Sequence, residues 1–331
     1  MESLRTNPLS RPRRRWLRRF GFLFAFVFLV LNALAFAQAW SMTHYVVSGE
    51  KTKSLERLTL WEKCKILSLG PTVTRPQNKL KPADYGLTVR AIAISSTDGN
   101  SLEAWRADVP SGAAVLMFPG YANSKDTLLR VAAEFQKRGF EPWLIDFRGC
   151  GGSTGNVTTI GWREADDVAA AVAAVRAETP GRKVLLYGQS LGSAAILRAV
   201  GTGVANVDAV ILEAPFDSLL NTVGNRFATM GLPRFPLSHL LVFWGGVQHG
   251  FNGFDHSPAE AARGVRVPTL VMMGENDRRV GLDAGRRIAE NLSERGTFHV
   301  FTGKRHAFLF QDAADEWRAV VSSFLNARAG L

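Results

Sequence analysis

The chain has 331 residues, of which 46% are hydrophobic and 21% charged, and this composition excludes a disordered or collagen-like protein. Its net charge is +11, but residues 1–19 carry seven arginines against one acid, Glu2, and so account for +6 of it. Because these arginines border an apolar run, they are typical of a membrane-topology signal and not of a nucleic-acid-binding surface.

The N-terminal segment contains a candidate transmembrane helix. Residues 20–40, FGFLFAFVFLVLNALAFAQAW, carry no charge and have Trp16 and Trp40 at their ends, and this length is enough to cross a bilayer. The arginines predict that residues 1–19 form a cytoplasmic tail. The rest of the chain would then lie outside the cytoplasm, in the periplasm if the source is a Gram-negative bacterium.

Two alternatives to a membrane anchor stay open. Ala37-Gln38-Ala39 fits the cleavage site of a signal peptide, and RRRWLR at 13–18 loosely resembles a twin-arginine signal. The apolar run is longer and more hydrophobic than the core of a usual signal peptide, which favours an uncleaved anchor.

Residues 41–84 are predicted to form an amphipathic helix and a connector. Apolar residues recur close to one helical face, which we expect to pack on the following domain, although it could also lie on the membrane surface; they are Leu55, Leu58, Trp61, Cys64 and Leu67. Three prolines, Pro71, Pro76 and Pro82, then predict an extended connection.

From residue 85 to residue 331, strand and helix patterns alternate. Asp98-Gly99 separates two strands as a hairpin would, and helices are predicted at 126–138, at 162–178, from Leu191, at 283–294 and from Asp312. The predicted strands are 89–96, 102–109, 113–118, 141–147, 183–187, 207–215, 267–274 and 297–301. The pattern predicts an α/β domain with a mainly parallel sheet covered by helices on both faces.

The alternation breaks at about residues 216–257. This stretch is aromatic, rich in glycine and too long for a plain connection. It is predicted to form an inserted cap over the strand ends, where open α/β sheets bind their ligands.

One short motif indicates chemistry. Gly188-Gln189-Ser190-Leu191-Gly192 matches G-x-S-x-G between a buried strand and a helix. In this setting the turn is so sharp that the residues two positions before and after the serine must lack side chains. The hydroxyl then stands above the sheet at a helix N-terminus, where the Leu191 N–H can face a developing oxyanion.

In this motif and its setting, the chain resembles the α/β-hydrolase family over residues 85–331, most closely its monoglyceride-lipase-like and serine-aminopeptidase-like branches. The resemblance implies a triad in the order Ser, acid, His. GENDRRV (274–280) supplies Asp277 after a late strand, with Glu275 and the weaker Asp283 as competitors, and GKRHAFLF (303–310) supplies His306. His299 lies inside a predicted strand, which suits a structural role better.

The resemblance also implies a second oxyanion donor, the Tyr121 N–H after the third strand, where Pro119-Gly120 replaces the His-Gly of many relatives. DFRGCGGSTG (146–155) is similar to the family's glycine-rich loop. It does not fit a dinucleotide fingerprint, because Thr154 stands where a glycine is required. We interpret it as a tight turn beside the site, in which Cys150 is not a nucleophile.

No metal ion or organic cofactor is expected. Two cysteines, Cys64 and Cys150, exclude a four-cysteine zinc site, and unpaired thiols are favoured over a disulfide. His239, His249 and His256 fall in the cap without the spacing of a metal site.

The sequence therefore predicts a membrane-anchored serine hydrolase that cleaves an acyl ester, possibly one derived from a lipid. His306 would take the proton of Ser190, Asp277 would orient His306, and an acyl-enzyme would form. An amidase or peptidase with the same triad stays open, and so does a non-catalytic binding protein tethered to the membrane.

Overall fold

A computed structural model describes residues 11–48, 59–96, 98–107, 109, 112–306 and 308–330. Eight strands form one sheet in the order β1-β2-β4-β3-β5-β6-β7-β8. They are β1 (Val89–Ser95), β2 (Ser101–Ala107), β3 (Ala114–Phe118), β4 (Glu141–Ile145), β5 (Val184–Gln189), β6 (Ala209–Glu213), β7 (Thr269–Gly274) and β8 (Gly296–Phe301). β2 runs antiparallel to β1 and β4, and the other neighbours are parallel.

The central strands β3 to β7 are buried at every position because both faces of the sheet are covered. In β3, Ala114, Leu116 and Phe118 face one core, whereas Val115 and Met117 face the other. The first core is closed by α4 (Glu164–Glu178), α5 (Leu191–Gly201) and α9 (Leu282–Leu292), and the second by α3 (Leu129–Lys137) and α11 (Ala314–Phe324).

The predicted elements are present with shifted ends. α3 begins at Leu129 because Lys125–Leu128 form a 3-10 turn, and a short helix α10 (Leu309–Asp312) precedes α11. Pro82 does not extend the connector, since Pro82–Tyr85 form another 3-10 turn.

The N-terminal helix α1 runs from Arg11 to Thr43. Over Trp16–Thr43 it is long and apolar enough to cross a membrane, with a mean hydropathy of 2.4 in an 18-residue window. Every residue from 16 to 30 is exposed, whereas residues 31–43 are mostly covered by the rest of the chain. α1 is therefore half free and half docked on the domain.

The helix α2 (Leu60–Leu69) packs against α1, and the side chain of Gln38 donates a hydrogen bond to the carbonyl of Ile66. Thr59 caps its first turn by accepting a hydrogen bond from the Glu62 N–H. Leu55 and Leu58, two of the predicted apolar positions, lie outside the described residues.

The insertion after β6 forms two helices, α6 (Leu219–Thr229) and α7 (Leu237–His249), and the short α8 (Pro258–Ala262) follows it. α7 lies against the docked half of α1. The Trp244 indole donates to the Asn32 side chain at 3.0 Å, and the Gln248 amide donates to the Phe36 carbonyl at 2.8 Å. The predicted cap and the apolar N-terminal helix thus form one packed unit.

Candidate active site

Ser190 occupies a sharp turn between β5 and α5. Its φ is 50°, a region that residues other than glycine rarely adopt, so the backbone is strained at this serine. Its N–H donates to the Glu213 carbonyl at 2.8 Å, and its side chain is partly exposed. The hydroxyl is therefore accessible above the end of the sheet.

The flanking glycines are required by space. A Cβ at Gly188 would lie 2.7 Å from the carbonyl carbon of Gly192 and 2.7 Å from the nitrogen of Ser193. A Cβ at Gly192 would collide with the Phe118 carbonyl of the neighbouring strand. Without a side chain at Gly188 the strand can lie close to the first turn of α5, and without one at Gly192 this turn can lie close to β3.

Asp277 and His306 lie together at the same edge of the sheet. His306 Nδ1 is 2.6 Å from Asp277 Oδ2. The other carboxylate oxygen of the buried Asp277 accepts the N–H groups of Arg279 at 2.9 Å and Val280 at 3.2 Å. A carboxylate held in this way fixes the orientation of the imidazole ring and can stabilise its charged form.

The competing residues have other partners. Glu275 is exposed and accepts the Gly303 N–H at 2.7 Å, and Asp283 lies in the first turn of α9, where it pairs with Arg286. His299 is within β8 and lies 2.8 Å from Glu316.

The loop after β3 lies beside Ser190. A Cβ at Gly120 would be 3.6 Å from the Ser190 Cβ and 3.6 Å from the Gln189 carbonyl. Tyr121 follows Gly120, and Leu191 is the first residue of α5, where backbone N–H groups have no partner within the helix. The N–H groups of Tyr121 and Leu191 are therefore the candidates for an oxyanion hole.

Glu213, which the sequence analysis did not single out, connects the two halves of the site. Its carbonyl accepts the Ser190 N–H, and its buried carboxylate accepts the Leu309 N–H, three residues after His306, at 2.8 Å. The Tyr187 hydroxyl donates to the same carboxylate at 2.5 Å. Burial raises the pKa of Glu213 to about 7. An acid ending an otherwise apolar strand was the available signal.

Within the described part of the chain, the Ser190 hydroxyl makes no hydrogen bond to the His306 ring. Catalytic hydrogen bonds are often long in structures without substrate. The structure thus brings together Asp277 with His306, and Ser190 with the Gly120 loop, and both pairs are attached to Glu213.

The glycine-rich loop after β4 is a structural turn. The buried Asp146 accepts the Lys125 N–H at 2.7 Å and the Gly152 N–H at 3.0 Å. Cys150 is a free, buried thiol whose pKa is raised by burial, which disfavours the nucleophilic thiolate.

The cap histidines do not converge. His256 lies 2.9 Å from the Ile160 carbonyl, whereas the His249 ring stacks near that of His44. Burial lowers the pKa of His249 and that of His256 to about 4. His239 contacts the rings of Phe235 and Phe254. Among the residues that the structure describes, no group of three or more His, Cys, Asp or Glu side chains could hold a metal ion.

The chain is similar to a protein family, to bacterial relatives and to solved structures. Residues 110–238 match the family described as serine aminopeptidase, S33. The uncharacterized protein Rv2307c of Mycobacterium tuberculosis is 27% identical over 222 residues, which cover 66% of this chain and 72% of that protein.

Two of the similar solved structures are esterases. One from Pyrococcus furiosus has a TM-score of 0.65 at 21% identity and covers 78% of this chain and 99% of its own. One from Exiguobacterium antarcticum has a TM-score of 0.55 at 18% identity and covers 72% of this chain and 100% of its own. The family match and these neighbours support a hydrolase. Together with the order of the strands, they confirm the predicted architecture: the chain has the α/β-hydrolase fold.

Proposed function

We propose that the chain is a membrane-anchored serine hydrolase that cleaves an acyl ester. The observation that carries this proposal is the 2.6 Å contact between Asp277 and His306, at the same end of the parallel strands as the strained and partly exposed Ser190. His306 would accept the Ser190 proton as the hydroxyl oxygen attacks the acyl carbonyl, and would return it to the leaving group. Water activated by His306 would then release the acid.

The negative charge that develops on the carbonyl oxygen would be held by the N–H groups of Tyr121 and Leu191. The closeness of Gly120 to Ser190 and the position of Leu191 at the start of α5 support this role. Such donors act on the transition state, and loss of one typically lowers turnover by about 10²–10³-fold.

A fluorophosphonate probe, which labels activated serines, tests the proposal. We expect the full-length protein in detergent to be labelled and Ser190→Ala not to be. Asp277→Asn should lower ester turnover by about 10⁴-fold, because the imidazole loses the partner that holds its tautomer. The matched control Glu275→Gln should keep its turnover. Absence of labelling in folded wild-type protein would favour the non-catalytic binding protein.

An amidase or peptidase is the second candidate, since the matching family is described as serine aminopeptidase. Matched ester and amide substrates with one acyl group separate the two activities. Amides are chemically less reactive than esters of the same acid. Acylation of Ser190 by the amide at a rate close to that of the matched ester would therefore favour the peptidase.

The packing of α1 favours an uncleaved anchor over a removed signal peptide. Cleavage after Ala39 would remove the helix that accepts hydrogen bonds from Trp244 and Gln248, and Ala39 itself is buried. It would also expose apolar residues of the cap to water, which costs roughly 25 cal/mol of free energy for each Å² of apolar surface exposed.

The mass of the membrane-extracted protein tests the anchor. We expect the full-length mass, resistance to extraction by alkaline carbonate, and digestion of the catalytic domain by protease added outside intact spheroplasts. A mature chain that begins near Trp40 would contradict the anchor without touching the proposed chemistry.

The exposed apolar residues of the cap favour a substrate with a hydrophobic acyl group. Phe243 and Val247 are exposed on α7, the helix that lies against α1, and Phe235 and Phe254 are exposed at its two ends. An apolar surface attached to a membrane helix would meet the lipid phase. Turnover that rises from acetyl to octanoyl esters would agree with this substrate class, and a preference for acetyl would contradict it.

A further inference from the structure

The guanidinium of Arg226 is a charge for which the described part of the chain provides no counter-ion. Arg226 lies on α6 and is partly buried. Among the described residues, no ion pair or side-chain hydrogen bond includes its guanidinium. Burial lowers the pKa of Arg226, with Tyr121 acting against this shift and Arg279 adding to it. Burying a charge without a partner is unfavourable, so a position that keeps one is a candidate for function.

Arg226 lies close to the candidate active site. It lines a small cavity enclosed by α1, α2, α6 and α7, together with Met42, Phe227 and Leu241. The carbonyl of Met42 accepts a hydrogen bond from the Tyr121 hydroxyl at 2.5 Å. The cavity thus borders Met42, which the Tyr121 side chain contacts, and the polar Gln38 also lines it.

A second arginine approaches from the loop that carries Asp277. The preceding residue of α6, Asn225, donates a hydrogen bond to the Val280 carbonyl at 3.0 Å, which holds α6 next to this loop. Arg279 is exposed there and close enough to Arg226 for their charges to interact. The carboxylates of the same loop are engaged elsewhere, Asp277 with His306 and Glu275 with the Gly303 N–H.

We propose that Arg226 and Arg279 bind an anionic group of the substrate, so that the enzyme prefers acyl esters carrying a phosphate or a carboxylate near the ester bond. This inference rests on the proposed ester hydrolysis and names its substrate class. Two guanidinium groups can hold a phosphate or carboxylate through charge-assisted hydrogen bonds.

Two substrate pairs test the inference and distinguish the two positions of the anion. 1-Oleoylglycerol and its 3-phosphate differ by a phosphate on the leaving group, and p-nitrophenyl butyrate and p-nitrophenyl glutarate differ by a carboxylate on the acyl part. We expect wild-type kcat/KM to favour the anionic member of at least one pair. In Arg226→Gln and Arg279→Gln this preference should fall by about 10- to 100-fold, mainly through KM.

Variants separate binding from folding and from net charge. Arg226→Lys keeps the charge and should retain part of the preference. Arg263→Gln removes an exposed arginine of α8 that pairs with Glu260, and should leave the preference unchanged. Thermal unfolding of Arg226→Gln should show no loss of stability, because an unpaired charge is removed.

A second measurement does not depend on turnover. Hexadecyl phosphate should slow fluorophosphonate labelling of wild-type Ser190 more than hexadecanol does, and this protection should weaken about tenfold in Arg226→Gln. Labelling with equal kcat/KM values in both pairs would overturn the anionic preference and leave the hydrolase standing. Absence of both labelling and turnover would overturn both proposals.

Discussion

Glu213→Gln should change how the stability of the protein depends on pH. The wild-type carboxylate is buried between the Tyr187 hydroxyl and the Leu309 N–H, and burial raises its pKa from 4.5 to about 7. Glutamine has nearly the same shape and keeps an oxygen to accept the Leu309 N–H, but it cannot ionise. The substitution therefore isolates the effect of ionising this one group.

The sign and size follow from the two pKa values. Below pH 4.5 Glu213 is protonated in both folded and unfolded protein, so its ionisation has no effect on stability. Between pH 4.5 and about 7 the unfolded chain loses the proton more readily, and wild-type stability falls. A difference of 2.5 pH units corresponds to about 3 kcal/mol. The variant should gain about this much relative to wild type as the pH rises through this range.

Urea unfolding in one detergent at pH 4.5, 6 and 8 measures the difference in free energy of unfolding between the two proteins. Glu290→Gln, at an exposed position of α9, serves as the control and should show a difference that is nearly independent of pH. If the difference for Glu213→Gln is also constant with pH, the carboxylate ionises as easily in the folded protein as in the unfolded chain, and the reasoning is refuted.

Three further variants probe the turn, the anchor and the free thiol. Gly188→Ala should lower the melting temperature and abolish fluorophosphonate labelling because its Cβ has no space, whereas Gly224→Ala, whose nearest contact is 3.4 Å, should leave both intact. Trp244→Phe should cost about 1 kcal/mol by removing the hydrogen bond to Asn32, and the unfolding free energy of the detergent-solubilised chain measures it; an unchanged value would mean that the helix is not docked there. Cys150, in the variant whose other cysteine is replaced by serine, should react with Ellman's reagent only after denaturation, and rapid reaction of the native protein would contradict its burial.

Much of the domain could be predicted because its strands are short, continuous apolar runs. AVLMF at 114–118 and AVILE at 209–213 have both faces buried, and such runs between helical patterns indicate a parallel sheet. Ser190 could be identified because G-x-S-x-G has meaning only where a strand meets a helix. The sequence favoured Asp277 but kept Glu275 as a competitor, since both follow the same strand. Their side-chain partners differ in the structure, where Asp277 contacts His306 and Glu275 accepts the Gly303 N–H.

The docking of α1 could not be predicted from its sequence. A helix that is apolar all round shows no face that indicates packing, and Asn32 and Gln38 were its only polar hints. Both bond to the rest of the chain, Asn32 to Trp244 and Gln38 to the Ile66 carbonyl. The unpaired charge of Arg226 was equally invisible, because whether an arginine has a counter-ion depends on contacts between distant segments.

Attachment of both halves of the site to Glu213 has a mechanical consequence. Ser190 and His306 lie more than a hundred residues apart along the chain, yet each is tethered within three residues to the same glutamate. A displacement of the end of β6 would therefore act on both attachments together. The cap has no such tether to Glu213 among the described hydrogen bonds. A change within the cap would thus not reach Ser190 and His306 through this glutamate.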